Sequence, residues 1–261
     1  MLFSFAGAQP VVLRSTGIHK AFQLSIYPGA DGKGAFVQYL GQHGFIPLKL
    51  KSRVAKGGVS KVVYVWDEVI DGKATGSYGL SMEAGSSSTA WYKRNKDNKI
   101  FKLETATNRN ITTTLDKYLL HGTLISFSHS TNKPLLFSYP DGSSKLKQLP
   151  DFDQPDPLRM GTIADYNFDG YDDVAFSIPD AGMGVYRIFS IYLYHPSSKR
   201  FEALNDPDHP KASCAGLCDV TLNQKNKLLY TSCRGGANWW KDVYRYSDHN
   251  TLIWLKSEKL N

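Results

Sequence analysis

The run Asp165-Tyr166-Asn167-Phe168-Asp169-Gly170-Tyr171-Asp172-Asp173 carries the chain's most specific chemistry. Oxygen-bearing side chains stand at its first, third, fifth and ninth positions, and a glycine stands at the sixth. Alternate residues point inward and the glycine takes the sharp turn, so the pattern can wrap a hard divalent cation. The spacing predicts a Ca2+ loop held by the side chains of Asp165, Asn167, Asp169 and Asp173 and the carbonyl of Tyr171, with water completing a set of about seven ligands. A helical EF-hand loop would place Glu at the twelfth position; Phe176 stands there, and residues 173–178 alternate as a strand does. The plainer reading is an Asp/Asn/Gly turn between two strands, its acids solvated.

Two further stretches have the makings of a contact surface. Residues 177–187 form a Gly- and Pro-containing connection with Met183 near its apex and Tyr186 at its exit, and a cation-fixed loop nearby would hold such a protrusion rigid at low entropic cost. Residues 234–240 combine flexible glycines with adjacent Trp239 and Trp240. Neighbours on a strand face opposite ways, so one tryptophan is expected buried and the other exposed.

Catalytic constellations are missing: there is no His-Glu-x-x-His, no Gly-x-Ser-x-Gly and no phosphate-cradling glycine loop. No catalytic residue is assigned, and the chain is expected not to be an enzyme. His43, His129, His195 and His209 fall in or beside turns and read as solvated loop residues. Asp180, Glu202 and Asp219 are the acids that could converge for glycoside hydrolysis.

The elements that must position these residues are strands. Short alternating runs between Gly, Pro, Asn, Asp and Ser clusters recur at 22–27, 35–39, 46–50, 62–66, 77–82, 89–92, 124–127, 135–139, 185–194, 228–231 and 244–255. An aromatic residue, a polar turn and an apolar residue followed by Leu recur from Tyr92, Tyr139, Tyr194 and Tyr246, at spacings of 47, 55 and 52 residues, with a looser copy from Tyr27. That period suits the blades of a β-propeller. An all-β chain is expected, a five-bladed propeller over 1–261 by preference. The alternative is an N-terminal β-sandwich over 9–106 followed by a calcium-loop β domain over 107–261.

Lys and Arg exceed Asp and Glu by 31 to 24, a net charge of +7, but they are scattered singly, which argues against nucleic acid. No stretch approaches the length of a membrane span. Residues 1–8 read either as the tail of a secretory signal ending in Ala6-Gly7-Ala8 or as an ordinary first strand. All three cysteines, Cys214, Cys218 and Cys233, fall in one neighbourhood. An exported chain is expected to close Cys214–Cys218 or Cys218–Cys233, with zinc as the other reading.

The calcium loop, the glycine-rich connection ending Tyr186-Arg187, the strand Ile191-Tyr192-Leu193-Tyr194 followed by Pro196 and Arg200-Phe201, and Gly235-Gly236-Ala237 before Tyr244-Arg245-Tyr246 occur in that order. Over about residues 155–255 the chain thereby resembles the calcium-loop, lysozyme-inhibitor-like immunity proteins of the Gram-negative periplasm. Those proteins protect a cell from peptidoglycan hydrolases delivered by type IV or type VI secretion systems. The resemblance implies a periplasmic inhibitor whose loop near the calcium site enters the cleft of a toxic effector. It nominates Asp180, Gly182, Met183, Gly184 and Tyr186 as contact residues. The family loop more often has Tyr-Gly at its tip where this chain has Gly182-Met183-Gly184. A glycan-binding module using Trp239 or Trp240, or a propeller glycosidase, is the alternative from outside that family.

Overall fold

A computed structural model describes residues 10–56, 61–83, 86–106, 115–152, 158–180 and 185–260. Among these there are twenty strands and no helix. The expected first segment 1–8 and the tip residues Gly182, Met183 and Gly184 lie outside the described residues.

The chain divides into two compact units, Met1–His129 with Leu136–Lys145, and Ser130–Leu135 with Leu146–Asn261. The sequence had suggested either one domain or a joint near residue 106.

In the first unit, β1 (Val11–Ser15), β2 (Gln23–Tyr27), β3 (Ala35–Tyr39), β4 (Ile46–Lys56), β5 (Lys61–Ile70), β6 (Lys73–Glu83), β7 (Ser86–Arg94) and β8 (Ile100–Thr105) form a closed antiparallel barrel. Closure comes from β1 pairing with β8, Leu13 opposite Thr105 and Ser15 opposite Leu103. The sequence dictates the inside: on β5, Val62, Tyr64, Trp66 and Glu68 alternate inward, and the three apolar side chains join Leu13, Leu24, Ile26, Val37 and Leu80 in one core. Trp66, fully buried, donates its indole N–H to the Gly32 carbonyl at 2.8 Å. Gly32 has φ of +91°, and a Cβ there would stand 2.7 Å from Leu50, so only glycine fits that turn without displacing the leucine.

β9 (Asp116–Leu120), β10 (Thr123–Phe127), β11 (Leu135–Ser138) and β12 (Ser144–Lys147) form a four-stranded antiparallel sheet in the order β12-β11-β10-β9. The second unit contains two four-stranded meanders. One is β13 (Met160–Ala164), β14 (Asp173–Pro179), β15 (Arg187–His195) and β16 (Arg200–Ala203). The other is β17 (Thr221–Asn223), β18 (Leu228–Gly235), β19 (Asn238–Tyr246) and β20 (Leu252–Leu260).

The all-β expectation holds, but the first hundred residues correct its finer form. They make neither the first two blades of a propeller nor a sandwich, because β8 returns to β1. The repeat starting at Tyr139, Tyr194 and Tyr246 marks β11–β12, β15–β16 and β19–β20, the last hairpin of each four-stranded sheet. The same pattern from Tyr92 marks β7–β8 of the barrel. An aromatic–turn–Leu pattern encodes a hairpin, and what the hairpin joins is decided by long-range pairing. The run 244–255 is two strands, broken where Asp248 accepts hydrogen bonds from the N–H groups of Asn250 and Thr251.

Candidate functional site

β13 and β14 are joined by the loop that the sequence singled out, with Ala164 and Asp173 paired at its base. Phe168 and Gly170 take positive φ, +64° and +92°, which turns the loop sharply. Asp165 accepts from the N–H groups of Asp169 and Gly170 at 3.0 and 2.9 Å, and Asp169 accepts from the N–H of Tyr171 at 2.9 Å. The Asn167 amide donates to Asp169 at 3.1 Å and lies 3.1 Å from His249. Tyr171 is exposed, its ring 5.8 Å from that of Tyr194.

Asp173 differs from the other acids because it is buried. Its two carboxylate oxygens accept from the N–H groups of Tyr166 and Tyr194 at 2.8 and 2.7 Å. Burial, with Asp169 and Asp165 nearby, pushes its carboxyl up to about 7 against the pull of those two donors. Beside it the Tyr246 hydroxyl is buried without a hydrogen-bond partner. Burial, then Asp173, Asp165, Tyr166 and Asp169, hold that phenol well above its usual range. A crowd of carboxylates around a buried one gains from a hard cation, so the donor chemistry fits calcium. Convergence is the weaker part of the fit: no cluster of three or more His, Cys, Asp or Glu among the described residues is arranged to hold a metal. Asp165 and Asp169 already have oxygens engaged with the loop's own amides.

β14 runs from this loop to a second one. Its seven residues span about 20 Å at 3.3 Å per residue, so Pro179 at its far end is not next to the cation loop. The tip's base is held by other groups. Asp180, buried, accepts from the Tyr186 N–H at 3.1 Å, and Asp219 accepts from the Arg187 N–H at 2.7 Å. Asp219 stands at a φ of +38°, a strained backbone for a residue with a side chain. Burial and the neighbouring Asp180 weaken its acidity against the pull of Arg187. The Arg187 guanidinium donates to neutral oxygens, those of Ser177 and the Leu158 carbonyl, and burial lowers its basicity.

A cysteine loop between β16 and β17 clamps this base. Phe189 N–H donates to the Leu217 carbonyl, Asp219 N–H to the Arg187 carbonyl and Ser232 N–H to the Cys218 carbonyl, each at 2.8 Å, which ties β15 and β18 to the same loop. The disulfide is Cys214–Cys233 and Cys218 is the free, buried thiol, which corrects both expected pairings. The reason is placement: Cys233 lies on β18 opposite Trp240, facing the loop where the buried Asp242 carboxylate accepts from the Ser213 and Cys214 N–H groups at 2.9 and 2.7 Å. Cys218 instead donates to the Ala215 carbonyl. The disulfide also removes two of the thiols that a zinc site would need.

Tyr186 and Trp240 both pack on the three cysteines. The start of β15 and β19 are thereby brought together, and with them Asp180, Tyr186 and Trp240 from the sequence-predicted contact set. Trp239 sits one residue along, opposite Arg234. Both tryptophans are half-buried, on the inner strand β19, where one buried and one exposed were expected. Of the acids considered for glycoside hydrolysis, Asp180 and Asp219 meet at neighbouring amides, while Glu202 stands on β16 opposite Leu193. Three histidines are not plain solvated residues: His129 contacts buried Asp116 at 2.8 Å, the rings of His195 and His249 lie 4.2 Å apart, and His209 stacks on Trp254. Sequence reasoning missed Asp242, for which the signal is an acid at an inward strand position, and the clamping role of 213–219, for which it is the clustering of every cysteine.

No family model matches the sequence, and no curated protein matches it. Among solved structures, the chain is similar to one described as a putative 6-phosphogluconolactonase from Bacteroides fragilis, at 11% identity and a TM-score of 0.30, over 95% of this chain and 72% of that one. A likeness of that size carries no argument for the fold or for an activity. That description names an enzyme, the reverse of what the sequence led to expect of this chain.

Proposed function

We propose that the chain is an exported inhibitor, an immunity-type protein that occludes the active-site cleft of a peptidoglycan-degrading effector of a type IV or type VI secretion system, lysozyme-like or amidase. The observation that carries this reading is the paired hairpin end at Asp180, Tyr186 and Trp240, anchored from below by the cysteine loop. An inhibitor needs a rigid protrusion with aromatic anchors and a polar rim, and this end supplies half-buried aromatics on a base fixed by a disulfide and buried carboxylates. The disulfide suits the oxidising periplasm. Calcium, bound through Asp165, Asn167, Asp169, Asp173 and the Tyr171 carbonyl, stabilises the β13–β14 end of the same sheet in this account.

The test is capture of periplasmic and secreted hydrolases on the purified protein, followed by turbidity clearing of isolated peptidoglycan. An equimolar amount is expected to suppress clearing by a captured lysozyme-like or amidase effector at least tenfold. Absence of suppression for every captured hydrolase would overturn the proposal.

A second reading has one observation in its favour, the meeting of Asp180 with an Asp219 of weakened acidity, which is the inventory of a glycoside hydrolase. In the same assay it requires that the chain alone clears peptidoglycan or releases reducing sugar, and that Asp219→Asn abolishes the turnover.

A further inference from the structure

The barrel of the first unit has a furnished mouth of its own. At the end where β1 meets β2, β5 meets β6 and β7 meets β8 lies an open cavity of about 510 Å³. Its walls include the rings of Phe22, Tyr39, Tyr92 and Phe101. Phe22 meets Tyr92 and Phe101 edge-on at 6.5 and 5.5 Å, so these rings form one faceted surface.

Beneath them the inward slot of β5 is filled by Glu68, 4% exposed, where the alternation calls for an apolar residue. It accepts from Thr75 at 2.6 Å, Tyr78 at 3.0 Å and Tyr92 at 3.3 Å, and the Tyr78 hydroxyl meets that of Tyr39 at 2.8 Å. Burying a carboxylate is strongly unfavourable unless it is hydrogen-bonded. Here it orients the tyrosine rings that line the mouth without itself reaching the wall.

The rim is basic. Lys20, Arg94 and Lys99 line it beside His19, and no carboxylate is among the lining residues. Arg94 is neutralised by a two-pronged contact with Asp97 at 2.6 and 3.1 Å. Lys20 and Lys99 are exposed, and Lys99 hangs its ammonium 5.2 Å over the Phe101 ring.

We propose that this mouth is a binding site for a small organic anion one ring in size, its apolar body against Phe22, Tyr39 and Phe101 and its acidic group between Lys20 and Lys99. The size suits small-ligand pockets, and the filled barrel interior below excludes a long acyl chain. The site lies in the first unit and is independent of the inhibitor reading.

The probe is 4-fluorobenzoate, compared with neutral 4-fluorobenzyl alcohol and cationic 4-fluorobenzylamine by ligand-observed fluorine NMR at low salt. The benzoate is expected to bind with a Kd of about a millimolar or tighter, as befits a fragment of ten heavy atoms, and the amine at least tenfold more weakly. Lys20→Glu with Lys99→Glu is expected to weaken the benzoate at least tenfold while the melting curve stays unchanged. Phe22→Ala is expected to weaken benzoate and alcohol alike. Equal binding of all three probes, preference for the amine, or a benzoate affinity untouched by the double charge reversal would each overturn the site.

Discussion

A single buried carboxylate shows how much a residue can organise. Asp173 closes the loop at the head of β14 through two backbone donors on different strands. Asparagine can accept only one of them and opposes the other with its own N–H, so Asp173→Asn is expected to cost about 2 kcal/mol in urea unfolding. The free Cys218 gives a second check. Burial, then Asp219, Asp180, Asp206 and Asp242, pushes its thiol up to about 11, which leaves little thiolate at neutral pH. Native protein should resist iodoacetamide at pH 8, and denatured, non-reduced protein should take up one equivalent. Uptake of three would count against the Cys214–Cys233 bridge. At this scale the sequence was legible where spacing is local, as in the loop from Asp165 to Asp173. It was silent on Asp242, and it singled out Asp219 only as an acid for glycoside hydrolysis, because the roles of both depend on amides far away along the chain.

The elements carry the division between the two ends of β14. Because the disulfide spans a separation of 19 residues, its removal by Cys214→Ala with Cys233→Ala is expected to cost about 3 kcal/mol. Hydrogen exchange should rise at Arg187–His195 and Leu228–Gly235. Calcium chelation should instead raise exchange at the β13–β14 loop and leave the hairpin tips unchanged. The same pattern at both ends would show that the loop and the tip are one unit. Most strands were readable from alternation, since Val62, Tyr64 and Trp66 declare their inward face. Their assembly was not: a hairpin pattern starting at Tyr92 is the same local text as one starting at Tyr194, and only the pairing of β1 with β8 makes the first part of a barrel.

For the whole molecule, two units with separate cores carry separate tasks in this account. Calcium at about a hundred times its Kd should stabilise the unit that holds the loop by about 2.7 kcal/mol, and reductant should destabilise that same unit. A thermal scan is expected to show both shifts in one transition, with the barrel's transition unmoved. The central claim is that the hairpin end, and not the cation loop, contacts the hydrolase. The most direct measurement is inhibition of a captured hydrolase by wild type, by Tyr186→Ala with Trp240→Ala, and by Asp165→Ala with Asp169→Ala. Because both side chains pack on the cysteines, the hairpin variant is also expected to melt earlier, but at a temperature where it is still folded it should lose at least tenfold in inhibition, while the loop variant, folded at the same temperature, still inhibits. Full inhibition by the hairpin variant, with loss confined to the loop variant, would contradict the claim.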